Sequence, residues 1–168
     1  TFSSPLANSL RVKLRQLIGN EPRVAERIEV ESLDEVARRL HERNLGPVRI
    51  AAPEAIAELI PSLAERQPTG FAVSYLRSEW AEVVDAWQIT DYEAYRVVPR
   101  LGRKTRLPEK QRETLWSIFQ GVQDALASRG ETTMASVYRA LAEHLSTTGK
   151  RPFESVVVDE AQDVSVQQ

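Results

Sequence analysis

The chain has 168 residues, a formal net charge of -2, two histidines and no cysteine. A chain of this length can bury a core of its own, so it is a folded domain rather than a peptide or linker. The charge excludes a uniformly basic protein that coats nucleic acid, and the missing cysteines exclude a disulfide-rich fold, a thiolate zinc site and a cysteine nucleophile. No stretch approaches the roughly 20 apolar residues of a membrane span. We therefore expect a cytoplasmic protein.

Helices are predicted along most of the chain from apolar residues at three- or four-residue spacing. The first runs from Ser4 to Gly19, and the second follows a Ser32 cap with Glu35 at the reciprocal capping position. Later helices are expected from Pro53, within Phe71–Trp87, at Tyr92 and Tyr95 behind a cap at Thr90 or Asp91, from Pro108 to Gly130, and over Thr132–Leu145. The tryptophans on these helices are interpreted as core residues.

Two short strands are predicted at opposite ends of the chain. Residues 27–30 alternate between charged and branched apolar side chains. Residues 155–158 include three consecutive valines. An unbroken β-branched run is typical of a strand that is buried on both faces of a parallel sheet. The order of elements therefore predicts an α/β fold: residues 1–52 and 151–168 form a partial parallel-sheet domain, and residues 53–150 form a mostly helical inserted lobe.

Two adjacent carboxylates, Asp159 and Glu160, directly follow the predicted valine strand. Ligands of open α/β sheets bind at the carboxyl ends of the strands. A pair of carboxylates there suits phosphoryl transfer, in which Asp159 would hold magnesium and Glu160 would position or deprotonate the attacking water. The alternative, which so short a motif favours when it stands alone, is an acidic turn without catalytic chemistry.

A longer string that contains these carboxylates, Val-Asp-Glu-Ala-Gln-Asp at positions 158–163, resembles the Walker B box, or motif II, of the helicases related to UvrD, PcrA and Rep. Gln162 separates it from the DEAD-box class, which has Asp at that position. The first seven residues, Thr-Phe-Ser-Ser-Pro-Leu-Ala, resemble motif Ia of the same helicases. Glu-Ser-Leu-Asp at positions 31–34 falls where motif Ib would lie, with Asp34 in place of a frequent His. The middle of the chain is similar to the inserted 1B subdomain.

The resemblance implies a superfamily 1 DNA helicase with a RecA-like 1A domain. The parent would couple ATP hydrolysis to translocation on single-stranded DNA and to strand separation, 3' to 5' by analogy, as a monomer in the bacterial cytosol or nucleoid. With ATP and magnesium as cofactors, Asp159 would ligate Mg²⁺, Glu160 would act as the base toward water, and Gln162 would sense the terminal phosphate. The Walker A sequence, Gly-x-x-x-x-Gly-Lys-[Ser/Thr], does not occur in the 168 residues. We therefore expect a fragment that does not hydrolyse ATP by itself.

The resemblance also implies contacts with single-stranded DNA near the first residues. The residues implied are Thr1, Phe2 and Ser3 in the stretch that resembles motif Ia, together with Ser32 in the stretch where motif Ib would lie. Phe2 would stack on a base, which is a sequence-tolerant interaction, and Thr1 would make a backbone contact. The alternative for Phe2 is packing in a core, where large aromatic residues usually lie.

A basic segment lies between Arg96 and Arg112. Seven Lys or Arg residues and one Glu give this segment a charge of +6. Because the net charge of the whole chain is -2, the remaining residues together carry a charge of -8. Such patches bind DNA phosphates by releasing counterions. The residues expected to contact the junction of single-stranded and duplex DNA are Arg100, Arg103, Lys104 and Arg106. The alternative is a loop neutralised by acidic helix faces that carry Glu79, Glu82 and Asp85.

A second function remains open from the sequence. The chain could be a self-contained α/β module that binds protein partners through its basic lobe and acidic tail, with Asp159 and Glu160 catalytically idle.

Overall fold

A computed structural model gives the structure and describes residues 1, 3–19, 21–67, 69–99 and 107–164. Within these ranges the protein is all-helical, because no residue lies in a strand and the one β-bridge joins Ile50 to Thr132. The prediction of an α/β fold with a parallel-sheet, RecA-like domain is therefore wrong. None of the described helices is long and apolar enough to cross a membrane.

The helices follow one another along the chain with short connections. They are α1 (Ser4–Ile18), α2 (Pro22–Ala25), α3 (Leu33–Leu45), α4 (Pro53–Ala64), α5 (Val73–Glu79), a π-helical segment (Trp80–Asp85), α6 (Tyr92–Val97), α7 (Glu109–Ser128), α8 (Met134–Thr148) and a 3-10 turn (Ala161–Asp163). The chain forms two compact units. Of the described residues, the first unit contains Thr1–Pro47 and residues 140–164, and the second contains those within Val48–Arg139. The sequence had suggested boundaries at residues 52 and 150.

The predicted caps explain where several helices begin. Ser32 and Glu35 form the predicted capping box: the Ser32 hydroxyl accepts from the Glu35 backbone N–H, and the Glu35 carboxylate accepts from the Ser32 N–H. Asp91, rather than Thr90, caps α6 through a 2.8 Å hydrogen bond from the Ala94 N–H. Side-chain acceptors at these positions satisfy N–H groups that have no partner inside the helix.

The core of the second unit is built on α7. Its predicted inner face is confirmed, since all six of its apolar residues are buried: Leu115, Trp116, Ile118, Phe119, Val122 and Leu126. Phe119 meets Tyr95 edge to face, with ring centroids 5.8 Å apart, and Trp80 packs on the same ring at 6.0 Å. Trp87, which the sequence also placed in the core, is 50 % exposed, so that prediction is wrong.

Both predicted strands are absent. Residues 27–30 and 155–158 have no strand structure, and Val157, expected to be buried on both sides, is 93 % exposed. A β-branched segment becomes a strand only when a neighbouring strand accepts and donates its backbone hydrogen bonds. No other segment among the described residues supplies that neighbour, so the valines remain without regular secondary structure and exposed to solvent.

Candidate functional site

The carboxylate motif lies in an exposed turn. Asp159 and Glu160 precede the 3-10 turn that carries Gln162, and all three residues are exposed. Glu160 has a φ of +56°, in the left-handed region that residues other than glycine seldom adopt. The side-chain amide of Gln162 donates a hydrogen bond to a carboxylate oxygen of Glu160. The structure therefore brings two of the three predicted catalytic residues into contact, outside any buried site.

The predicted metal ligand Asp159 has the right chemistry but few neighbours. Magnesium is commonly held by one or two carboxylates, with waters and substrate phosphates completing its shell. No group of three or more His, Cys, Asp or Glu residues suited to a metal ion occurs in the part of the chain that the structure describes. The sequence also contains no glycine-rich loop to hold the phosphates. The described residues therefore do not suffice by themselves to hold ATP and magnesium.

The predicted DNA-contacting residues at the start of the chain are brought together with Ser32. The backbone nitrogen of Thr1 donates to the Glu31 carbonyl at 3.0 Å, and the Leu33 N–H donates to the Thr1 carbonyl at 2.9 Å. The hydroxyl of Thr1 is buried and has no hydrogen-bond partner within the described ranges. The first residue is thus fixed beside the beginning of α3.

The N-termini of α1 and α3 meet at this point. Ser3 caps α1 by accepting from the Leu6 N–H at 3.4 Å, as Ser32 caps α3. The Ser4 hydroxyl lies between the two helices, 3.5 Å from the Ser32 hydroxyl and 3.0 Å from a Glu35 carboxylate oxygen. Each helix N-terminus carries about half a positive charge, and such ends attract anions. We call the cluster of Thr1, Ser3, Ser4, Ser32 and Glu35 the double N-terminus.

Glu35 is the anion that occupies the double N-terminus in this structure. Hydrogen bonds lower the pKa of its carboxyl group below the ordinary value; the backbone N–H of Ser32 has the largest effect, followed by the hydroxyls of Ser4 and Ser32, and the positive charge of Arg11 acts in the same direction. Ser32 is only 2 % exposed, whereas Ser4 is exposed. A phosphate that approached the two helices would therefore compete with this carboxylate for the Ser4 hydroxyl. Glu35 was predicted only as part of a cap, so its position as a competing anion was missed.

The remaining predicted DNA contacts, Phe2, Arg100, Arg103, Lys104 and Arg106, lie outside the described residues. The cations at the two ends of the basic segment, Arg96 and Arg112, have local hydrogen-bond partners. The guanidinium of Arg96 donates to Glu93 at 2.8 Å, and that of Arg112 donates to the Arg96 carbonyl at 2.9 Å. These two residues therefore contribute to the packing around α6.

A cavity in the second unit was missed from the sequence. It has a volume of about 300 Å³ and lies among the π-helical segment, the end of α7 and the start of α8. The alternative interpretation of the basic segment placed Glu79 and Asp85 on acidic helix faces that neutralise it, but Glu79 is fully buried and Asp85, half-buried, faces this cavity. An aspartate flanked by apolar residues at 83–87, Val-Val-Asp-Ala-Trp, was the available signal.

Comparison with known proteins gave no match: no family model, no curated protein and no solved structure is similar to this chain.

Proposed function

We propose that this chain is part of an ATP-dependent DNA helicase of the UvrD-like class, and that it contacts DNA through the double N-terminus. The observation that carries the proposal is the hydrogen bonding of residues 1–4 to residues 31–35, which lie far apart in the sequence. The resemblance assigns these two stretches separately to DNA-contacting motifs. Their meeting at two helix N-termini supports a shared role in binding backbone phosphates.

The chemistry of this site suits DNA of any sequence. Helix N-termini and serine hydroxyls offer donors to phosphate oxygens, and such contacts position a protein on DNA without reading its bases. A translocating enzyme needs contacts of this kind because it must hold every sequence that it passes. The proposed roles of Asp159 on magnesium, Glu160 toward water and Gln162 in coupling belong to the parent protein, which would supply the phosphate-binding loop.

The first test concerns ATP hydrolysis by the 168-residue chain. We expect no magnesium-dependent phosphate release above background in a coupled assay, because the sequence has no loop to hold the ATP phosphates. The control is the Glu160→Gln variant, which should give the same background rate. Turnover by the wild-type chain that this variant abolished would overturn the proposal that the chain is a helicase segment without ATPase activity.

The second test removes the competing anion from the double N-terminus. Glu35→Gln keeps a side chain that can complete the capping box but loses the negative charge. Two unit charges about 4 Å apart in water interact strongly enough to change binding about five-fold. We therefore expect Glu35→Gln to tighten binding of a fluorescein-labelled 20-nucleotide oligothymidylate about three- to ten-fold at low salt, measured by anisotropy, and less at high salt.

The matched control is Glu42→Gln, which makes the same charge change at an exposed position further along α3. Its effect on DNA affinity should be at most a small fraction of that of Glu35→Gln. Equal effects of the two variants would show that overall charge, rather than the double N-terminus, governs binding. Weaker binding by Glu35→Gln would also contradict the proposal.

One observation favours the second candidate function, a protein-interaction module. Val156 and Val157 are 67 % and 93 % exposed and adjoin Val158, and contiguous exposed apolar residues often mark a surface that contacts another protein. The same anisotropy experiment separates the two functions. If neither the wild-type chain nor Glu35→Gln binds DNA at low salt, the interaction module becomes the better assignment.

A further inference from the structure

The cavity in the second unit has one apolar wall and one polar wall. Trp80, Val84 and Leu126 line the apolar side. The polar side is lined by Asp85, Gln88, Gln123, Thr133 and Ser136. Binding sites for small molecules typically combine an apolar lining with a few fixed polar groups in this way.

The side chains of the polar wall form a hydrogen-bond network with one another and with the backbone. The Thr133 hydroxyl donates to Asp85 Oδ1 at 2.5 Å, and Gln88 Nε2 donates to the same oxygen at 3.0 Å. The Ser136 hydroxyl donates to Gln88 Oε1 at 2.7 Å, and Gln123 Nε2 donates to the Ile89 carbonyl at 2.7 Å. Within the described chain, Asp85 Oδ2 and Gln123 Oε1 accept no hydrogen bond. The polar wall therefore has two unused hydrogen-bond acceptors, which suit a ligand that donates hydrogen bonds.

The charges around the cavity point in the same direction. The ionisable side chains that line it are Asp85, Glu131 and Arg139, and of the two carboxylates Asp85 forms no ion pair within the described residues. Glu131 is already paired with Arg49 at 3.5 Å. Burial raises the pKa of Asp85, although hydrogen bonds from Thr133 and Gln88 partly offset this effect. The carboxylate is thus only partly compensated, and a ligand cation would compensate it further.

Two irregularities of the backbone place the acceptors on this wall. Asp85 ends the π-helical segment Trp80–Asp85, and Gln88 has a φ of +51°, in the left-handed region. The latter conformation is strained in a residue other than glycine. Here it lets the Gln88 amide bond both the carbonyl and the carboxylate of Asp85. Single-turn π-helical segments and strained residues of this kind are frequent at ligand sites.

We propose that this cavity binds a small organic cation whose head is an amidinium or guanidinium group. The N–H groups of the head donate to Asp85 Oδ2 and Gln123 Oε1, and its carbon skeleton packs on Trp80 and Val84. Hydrogen bonds between a charged donor and a carboxylate are stronger than neutral ones. A single positive charge neutralises the Asp85 carboxylate.

The test is a titration of the whole chain with benzamidine, followed by NMR chemical shifts or calorimetry. Benzamide, which has the same shape without the charge, is the ligand control. Asp85→Asn retains an acceptor for Thr133 and Gln88 but removes the carboxylate, and Asp124→Asn makes the same change at an exposed position on α7. We expect benzamidine to bind the wild type and Asp124→Asn alike and to bind Asp85→Asn at least about ten-fold more weakly. Benzamide should not bind measurably.

A second measurement needs no variant. Benzamidine keeps its positive charge on acidification, whereas Asp85 becomes protonated, so the affinity of the wild type should fall as the pH decreases through the raised pKa of Asp85. Glu131 and Arg139 also face the cavity, and Asp85→Asn should remove the part of the pH dependence that Asp85 causes. No benzamidine binding to the wild type, equal binding of benzamide, or binding that Asp85→Asn leaves unchanged would overturn the proposal.

Discussion

Replacing Phe119 with alanine is expected to lower the free energy of unfolding of the second unit by about 3–5 kcal/mol. Phe119 is fully buried on α7, and its ring contacts both Tyr95 and Trp80. Its removal loses the transfer free energy of the ring and leaves a cavity that the surrounding helices can fill only in part. The measurement is urea denaturation. The urea concentration at the midpoint should decrease, while the slope of the unfolding free energy against urea concentration stays constant.

Trp87→Ala is the matched control, since it removes an even larger aromatic side chain from the same unit. Trp87 is 50 % exposed, so we expect a loss below about 1 kcal/mol. Similar losses for the two variants would show that Phe119 does not occupy the core position that the structure gives it.

The contrast between these aromatic residues shows how far periodicity predicts this fold. The inner face of α7 followed from apolar spacing because a regular α-helix returns the same face every three to four residues. Trp87 follows a π-helical segment, in which hydrogen bonds span five residues instead of four. The face that each later residue presents is therefore rotated relative to the α-helical pattern, and a sequence pattern does not reveal the change.

The two strand errors have a different cause. A capping box such as Ser32 and Glu35 is local, since both partners are three residues apart, and it could be predicted correctly. The strand at residues 155–158 depended on partners elsewhere, and the β-branched composition of the segment contains no information about whether a neighbouring strand exists. The expectation that Asp159 and Glu160 lie at the carboxyl edge of a sheet depended on the same sheet, which the described residues do not form.

The candidate sites also differ in whether their residues are close together or far apart in the sequence. Glu160 and Gln162 are near each other because they are two residues apart in the chain. Ser4 and Ser32 are 28 residues apart, and the resemblance assigned their stretches to two separate motifs without indicating that they meet. The hydrogen bond of Thr133 to Asp85 spans 48 residues, and no motif contains either residue. The cavity that they line could be found only from the tertiary structure.

Replacing Tyr95 with phenylalanine is expected to cost about 1–3 kcal/mol of the free energy of unfolding. The Tyr95 hydroxyl donates to Glu79 Oε1 at 2.9 Å, and both side chains are fully buried. Phenylalanine fills the same space, so no cavity forms. The loss arises because the buried carboxylate then lacks one of its donors, and a hydrogen bond to a charged group contributes about this much to stability. Urea denaturation with matched buffer and temperature measures the difference.

Tyr92→Phe provides the control on the same helix. The Tyr92 hydroxyl is also buried, but it has no hydrogen-bond partner among the described residues. Its removal deletes a polar group that is desolvated without compensation, so we expect the stability to stay constant or to increase slightly. The two variants remove the same atom from neighbouring tyrosines of α6, so their difference isolates the bond to Glu79. Equal losses for both would mean that the Tyr95–Glu79 hydrogen bond does not stabilise the core.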